Sequence, residues 1–299
     1  MRRIRILTDS CSDLSGDLLK RYDLAYCRMN TVYNEEETPA SLTWEYYTPR
    51  ELYDIMRHGE RVKTTQVPPE EFMRVFEAYL EEGCDLIYIG CSGKQSGSVN
   101  TATVLSKKLL EKYPDAKIAC IDSLNASIGE GMLAIAASEM VREGKSFDEV
   151  VEATLALCNR VRQFVTVHSL DALHRAGRVK GSAAFFGNLM GVKPILISDA
   201  DGEQTPIKKV KGRMPSFQEL VAQIKSVIQN PEEQTVYLAH ADCSEAEIEF
   251  LKSAVMEAIP CRGVEVVYIG PIIGASIGPD AVGLWCFGDE VTYRVGDAK

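Results

Sequence analysis

Short β-rich runs alternate with amphipathic helical stretches through the first half of the chain, and this order most narrows the fold. Residues 4–8, 85–90 and 117–121 read as strands. Between them, residues 69–82 carry Phe72, Val75, Phe76, Tyr79 and Leu80 at helical spacing, and 98–113 and 131–142 follow the same period, the last stopping at Gly144. Strands separated by helices pair in parallel and are covered by helices on their faces. A further helix is expected over 147–163 with Ser146 as its N-cap, then a strand over 164–168. The second half offers strands at 192–198, 204–210, 235–241, 263–269 and 283–287, and helices at 182–190, 216–229 and 245–256. The expected class is α/β in two domains, each a largely parallel or mixed sheet with flanking helices. The division is placed at 1–162 and 163–299. A chain of 299 residues is long enough to bury such cores without a disulfide or metal staple.

Charge and cysteine usage remove several function classes. The chain has 33 basic against 43 acidic side chains, a net charge of −10, so non-specific nucleic-acid binding by phosphate neutralisation is not expected. The nine cysteines are odd in number and show no C-x-x-C spacing. They fit small buried thiols in a reducing cytoplasm, the expected location, better than a disulfide framework. The four histidines have no metal-ligand spacing either, so no metal site is expected. No run of about 18 apolar residues is present, so no transmembrane segment is expected. Residues 1–9 are basic without an apolar run and do not read as a signal peptide.

The candidate chemistry lies where strands end. Thr8-Asp9-Ser10, Gly90-Cys91-Ser92 and Asp122-Ser123 each follow a strand. That edge of an open α/β sheet is where ligands bind, although Asp and Ser also cap helices there. The segment 90–98, Gly-Cys-Ser-Gly-Lys-Gln-Ser-Gly-Ser, opens a helix with glycines and hydroxyls, and free N–H groups at such an opening attract anions. It is neither a Walker loop nor a G-x-S-x-G elbow. Thr64 and Thr65 precede a proline-started helix, where capping accounts for one hydroxyl and leaves the other over. Arg175 and Arg178 lie about a turn apart beside Gly177, suited either to an oxyanion or to a solvated turn. Lys208, Lys209, Lys211 and Arg213 make a basic edge. Residues 183–190 are apolar nearly all round, as a core helix or the wall of an apolar tunnel would be.

Taken in order, these segments resemble the DegV family, whose best-understood members are the fatty-acid-binding subunits of bacterial fatty acid kinase. The resemblance is carried by Thr8-Asp9-Ser10-x-x-Asp13, Lys63-Thr64-Thr65-Gln66-x-Pro68, Ser96-Gly97-Ser98, Asp122-Ser123 with Gly129 and Gly131, and Leu173-x-Arg175-x-Gly177-Arg178. Lys193-Pro194-Ile195-Leu196, His240-x-Asp242 and residues 269–274 complete it. It implies a long-chain fatty acid between the two domains. The carboxylate would be held by the amino-terminal domain at Thr64, Thr65, Ser96 and Gly97, with Ser276. The tail would enter a carboxyl-terminal pocket at Phe185, Phe186, Leu189 and Met190. Arg175, Arg178 and Arg213 become candidates for phosphate or partner contact. The chain would be a carrier with no catalytic residue and no cofactor, presenting the acyl carboxylate to a separate fatty acid kinase. The other readings are a small-molecule phosphotransferase related to dihydroxyacetone kinases, or a lipid-binding regulator without a kinase partner. One departure stands out: the family usually has Thr-His after the glycine at 274, and this chain has Ala275-Ser276 in what reads as a glycine-rich loop.

Overall fold

Residues 2–168, 171–179 and 191–294 are described by the computed structural model, the side chains of Asp171 and His174 excepted. The expected tail residues Phe185, Phe186, Leu189 and Met190 lie outside the described residues, as does the helix expected over 182–190.

A four-stranded parallel sheet in the order β2-β1-β6-β7 organises the first half. Its strands are β1 (Arg3–Asp9), β2 (Ala25–Cys27), β6 (Cys84–Gly90) and β7 (Ile118–Asp122). Every residue of β6 is buried, as expected for a central parallel strand covered on both faces. Helices α3 (Pro69–Glu81), α4 (Ser98–Lys112) and α5 (Ile128–Arg142) flank the sheet. Phe72 and Phe76 of α3 meet Tyr88 of β6 edge-on or tilted at centroid distances of 5.2 and 5.9 Å, so the apolar stripe read from the sequence is the packed one.

The second half holds a six-stranded mixed sheet in the order β10-β9-β8-β13-β11-β12. It comprises β8 (Val161–Thr166), β9 (Val192–Ser198), β10 (Gln204–Lys211), β11 (Thr235–His240), β12 (Gly263–Tyr268) and β13 (Val282–Phe287). Among its described strands, β11 and β12 pair in parallel and the other pairings are antiparallel. Helices α8 (Arg213–Val227) and α9 (Glu245–Ala258) pack against it. The α/β class with flanked parallel and mixed sheets is therefore the observed one.

Three local expectations are corrected. The helix expected to run to residue 163 is α6 (Phe147–Cys158), with Ser146 as its N-cap in a capping box with Glu149. It stops because Val161 to Thr166 is claimed by antiparallel pairing with β13, in the register Val161↔Phe287. Neither Thr64 nor Thr65 caps the helix that follows, whose N-cap is Pro68 with no side-chain cap bond. Both lie on β5 (Lys63–Thr65), which joins β3 (Asn30–Tyr33) and β4 (Glu36–Pro39) in a small antiparallel sheet ordered β4-β3-β5. Ser276 is not in a glycine-rich loop but in a short helix, α10 (Pro271–Ile277). Pro271 has the fixed φ that suits a first turn, and Gly278, at φ +85°, ends the helix. Gly274 is needed because a Cβ there would collide with the Tyr53 hydroxyl.

Helix α10 joins the two halves. It packs on β3, β5, α7 (Asp171–Ala176) and α2 (Pro49–Arg57). Its entry is pinned from the first half. Asp13 Oδ1 accepts from the Gly270 N–H at 2.8 Å, Asp13 Oδ2 accepts from Ser127 Oγ at 2.5 Å, and the Tyr53 hydroxyl donates to the Ile269 carbonyl at 2.6 Å. Outside these, Arg57 of α2 reaches Asp242 at 2.6 Å and Asp280 at 2.8 Å. Asp13 is 2% exposed. Burial pushes its carboxyl up to about 8, against the lowering pull of its hydrogen bonds from Ser127 and Gly270.

This gives a pH test. The folded state keeps the Asp13 proton between the unfolded value of 3.8 and about 8, while the unfolded chain has lost it. Stability from this group is therefore greatest below pH 4 and declines as pH rises through that window, by up to about 1.4 kcal/mol per pH unit. Urea unfolding of wild type and Asp13→Asn at pH 5, 6, 7 and 8 should show wild type losing ground to the variant as pH increases. A difference independent of pH would contradict this assignment.

Candidate functional site

A cavity of about 490 Å³ lies where the two halves meet, bounded by residues from both. From the first half come Thr64 and Thr65 of β5, Gln66, and the turn from Gly93 to Gly97. From the second come Val165 of β8, Leu196 of β9, Trp285 of β13, and Ile272 and Ile277 of α10. The first-half segments bring hydroxyls and amides, and the second half brings mostly apolar side chains together with Gln163, Gln204, Arg178 and Ser276, a lining suited to an amphipathic molecule.

The polar wall is built by local hydrogen bonding. The chain turns at Ser92, whose carbonyl accepts from the N–H groups of Gln95 and Ser96, both at 2.9 Å. Ser96 Oγ and Ser98 Oγ share a hydrogen bond of 2.9 Å, and Ser98 Oγ accepts from the Val67 N–H at 3.2 Å. The start of α4 is thereby tied to the end of β5. Gly97 has no side chain because the Gln66 amide crosses where its Cβ would be. Ser92 Oγ and Gln95 Nε2 both donate to the Gly202 carbonyl, at 2.8 and 3.0 Å, which links this turn to the β9–β10 connection of the other half.

Two polar groups in the wall are left over. Thr65 Oγ1 and Trp285 Nε1 are buried and have no hydrogen-bond partner. An unpaired buried donor costs about 1–3 kcal/mol. Both belong to residues that line the cavity, and Trp285 Nε1 lies against Gly129 of α5. Gln163 and Gln204 are already paired at 2.6 Å.

The sequence-derived candidates divide as follows. Thr64, Thr65, Ser96, Gly97, Ser276 and Arg178 all line this cavity. Ser276 Oγ donates to the Ile272 carbonyl one turn back, at 3.2 Å. Arg178 is exposed at the cavity edge, and its Nε donates to the Gln95 carbonyl at 3.3 Å. Arg175 lines a smaller neighbouring cavity of about 220 Å³ with Arg178 and Ser276, and its carbonyl accepts from Arg61 at 3.1 Å. Arg213 is not brought to either. It heads α8, pairs with Glu247 at 2.8 Å and lies over the Phe217 ring at 4.5 Å. Lys208 of the basic edge pairs with Glu219 at 2.8 Å.

The polar strand ends serve the scaffold. Asp9 Oδ2 accepts from the Tyr88 hydroxyl at 2.6 Å and from the Cys91 N–H at 3.3 Å, while Oδ1 accepts from the Cys11 N–H at 2.8 Å. Asp122 holds the Gly93 N–H at 3.0 Å, and Ser123 Oγ donates to the Asn125 carbonyl at 3.0 Å. These groups shape the loops, and Asp9, Asp122 and Ser123 are not in the cavity wall. Sequence reasoning missed Lys94, Trp285 and the two cysteines Cys11 and Cys91, all of which line it. Lys94 sits in the Gly-rich segment already singled out, and Cys91 stands among its strand-end residues. Trp285, one of the chain's two tryptophans, gives no signal beyond its place in the apolar run 282–287.

The family model described as "Uncharacterised protein, DegV family" matches residues 3–288. The chain belongs to the DegV family. A DegV domain-containing protein of Clostridium perfringens is 34% identical over 289 residues, covering 97% of this chain and 99% of its own length. A DegV family protein from Thermus thermophilus, whose structure is described as showing fatty acid binding, superposes with a TM-score of 0.86 at 26% identity. It covers 97% of this chain and 100% of its own. A stearic acid-binding protein from Eubacterium ventriosum gives 0.84 at 25% identity, covering 95% and 98%.

The unpaired Thr65 hydroxyl makes a stability prediction. Thr65→Val keeps the shape and suits a strand, so it should leave the empty protein as stable as wild type or up to about 1 kcal/mol more stable in urea unfolding. A loss of more than about 1 kcal/mol would show that the hydroxyl is bonded within the protein.

Proposed function

We propose that this protein binds one long-chain fatty acid in the cavity between its halves. The carboxylate lies at Thr64, Thr65, Ser96 and the Gly97 backbone, and the tail runs along the apolar wall. The observation that carries this is the buried Thr65 hydroxyl, unpartnered beside an apolar cavity. A carboxylate would accept from it in a charge-assisted hydrogen bond. Exposed Lys94 and Arg178 at the same cavity favour an anionic head group. The affinity comes from the tail at about 0.8 kcal/mol for each buried CH₂. The Thermus and Eubacterium relatives, described as binding fatty acids, support the same reading.

The finer reading is a cytoplasmic carrier: residues 1–162 hold the head group, 163–299 take the tail, and a separate fatty acid kinase phosphorylates the presented carboxylate. The family resemblance supports it, and Ser276 qualifies it. A histidine there could bring a positive charge to the carboxylate, whereas Ser276 offers one neutral hydroxyl now turned to Ile272. The head group is accordingly held less tightly than in histidine-bearing relatives, and the tail keeps the acid bound.

The test is titration of delipidated protein with oleate. Thr64→Ala, Thr65→Ala and Ser96→Ala should each weaken binding by about 0.5–1.5 kcal/mol, rising to about 3 for the residue bonded to the charged oxygen. Wild-type affinity in the triple variant would place the carboxylate elsewhere.

A further inference from the structure

Beneath the cavity wall, the pairing of β1 with β6 brings together two cysteines that are 80 positions apart. Leu7 lies opposite Tyr88, so the segments leaving the two strands run side by side. Cys11 and Cys91 stand there, both 2% exposed and both lining the cavity. Glu130 of α5, fully buried, reaches the same point. One ligand atom from each of the three residues lies within 4.8 Å of the others.

This cluster is poorly satisfied as it stands. Glu130 Oε1 accepts from Thr8 Oγ1 at 2.5 Å and from the Asp9 N–H at 3.3 Å, but Oε2 is buried with no partner. The Cys11 thiol has Met29 Sδ at 3.4 Å as its acceptor. A second carboxylate, Asp9, holds the N–H groups of both cysteines, so the backbone on both sides is fixed with the thiols side by side. Four acidic groups thus share a buried spot.

We propose that Cys11, Cys91 and Glu130 form a zinc site in the cavity wall, with the fourth coordination position open to the cavity. Two thiolates and a carboxylate are ordinary zinc ligands, and in a tetrahedral site such atoms stand roughly 3.5–3.8 Å apart. The observed grouping closes onto an ion with a small side-chain movement. Binding displaces the ligand protons, gives Oε2 a partner, and offsets the negative charge with a divalent cation. Asp9 acts as the outer support, orienting both cysteines through their backbone. The sequence hides the site because its ligands follow two different strands and a helix. The inference is independent of what fills the cavity.

The test uses the full chain, treated with chelator and a non-thiol reductant, then titrated with zinc against a chromophoric competitor. One equivalent per chain is expected. Losing a zinc ligand should cost more than the 10–100-fold typical of an outer-shell change, so Cys11→Ser and Cys91→Ser should each weaken binding by more than about 100-fold. Cys261→Ser, at a partly exposed thiol outside the cavity, should not change it. Should the cysteine variants fail to fold, zinc-edge X-ray absorption on the wild type decides. Two sulfur neighbours with light-atom neighbours support the site. No stoichiometric binding, equal affinity in the Cys11→Ser/Cys91→Ser variant, or a shell without sulfur overturns it.

Discussion

The carboxyl of Asp13 governs how the two halves meet. It sits four residues past the end of β1, at a left-handed φ of +50°, and its two oxygens take the Gly270 N–H from one half and the Ser127 hydroxyl from the other. Gly270 is the N-cap of α10 and Ser127 the N-cap of α5. One buried group therefore sets the start of the helix that closes the cavity and of the helix that supplies Glu130. Burying a carboxyl is costly unless its hydrogen-bonding capacity is filled, so this join tolerates little displacement. The Tyr53 hydroxyl on the Ile269 carbonyl and the Arg57 ion pairs add to the same junction from α2.

That junction explains the character of the cavity. Strand and turn segments of the first sheet end in short polar residues whose hydrogen-bonding groups are used among the loops, as at Asp9 and Asp122, or across to the other half, as at Ser92. The second sheet presents branched and aromatic side chains. Where the two are held together, Thr65 and Trp285, each with a buried unpaired donor, line the same cavity as Leu196, Ile272 and Ile277. For the fatty acid proposed here, a buried tail would supply the larger energy and the head-group donors the position.

The elements legible in the sequence are those whose signal is local. Strand β6 and helix α3 are legible because residues 85–90 read as a strand, one residue short of the observed Cys84–Gly90, and five apolar residues fall at helical spacing. The β3-β4-β5 sheet was not, because Asn30–Tyr33, Glu36–Pro39 and Lys63–Thr65 are short and polar, and only mutual pairing makes them strands. Helix α10 was hidden by its glycine, which close contact with Tyr53 requires. For the site, the family-like motifs named Thr64, Thr65, Ser96 and Gly97, and the structure shows them on one wall. Trp285, Cys11 and Cys91 depend on strand register and on the packing of the two halves, which no spacing in the sequence encodes.

The cavity is proposed to hold a long-chain acid by its polar and apolar walls together. Native mass spectrometry of the protein as purified, followed by identification of whatever an organic extract releases, tests it most directly. One long-chain carboxylic acid per chain is the predicted result. A protein that carries no lipid, and after solvent treatment takes up neither oleate nor palmitate, would contradict it.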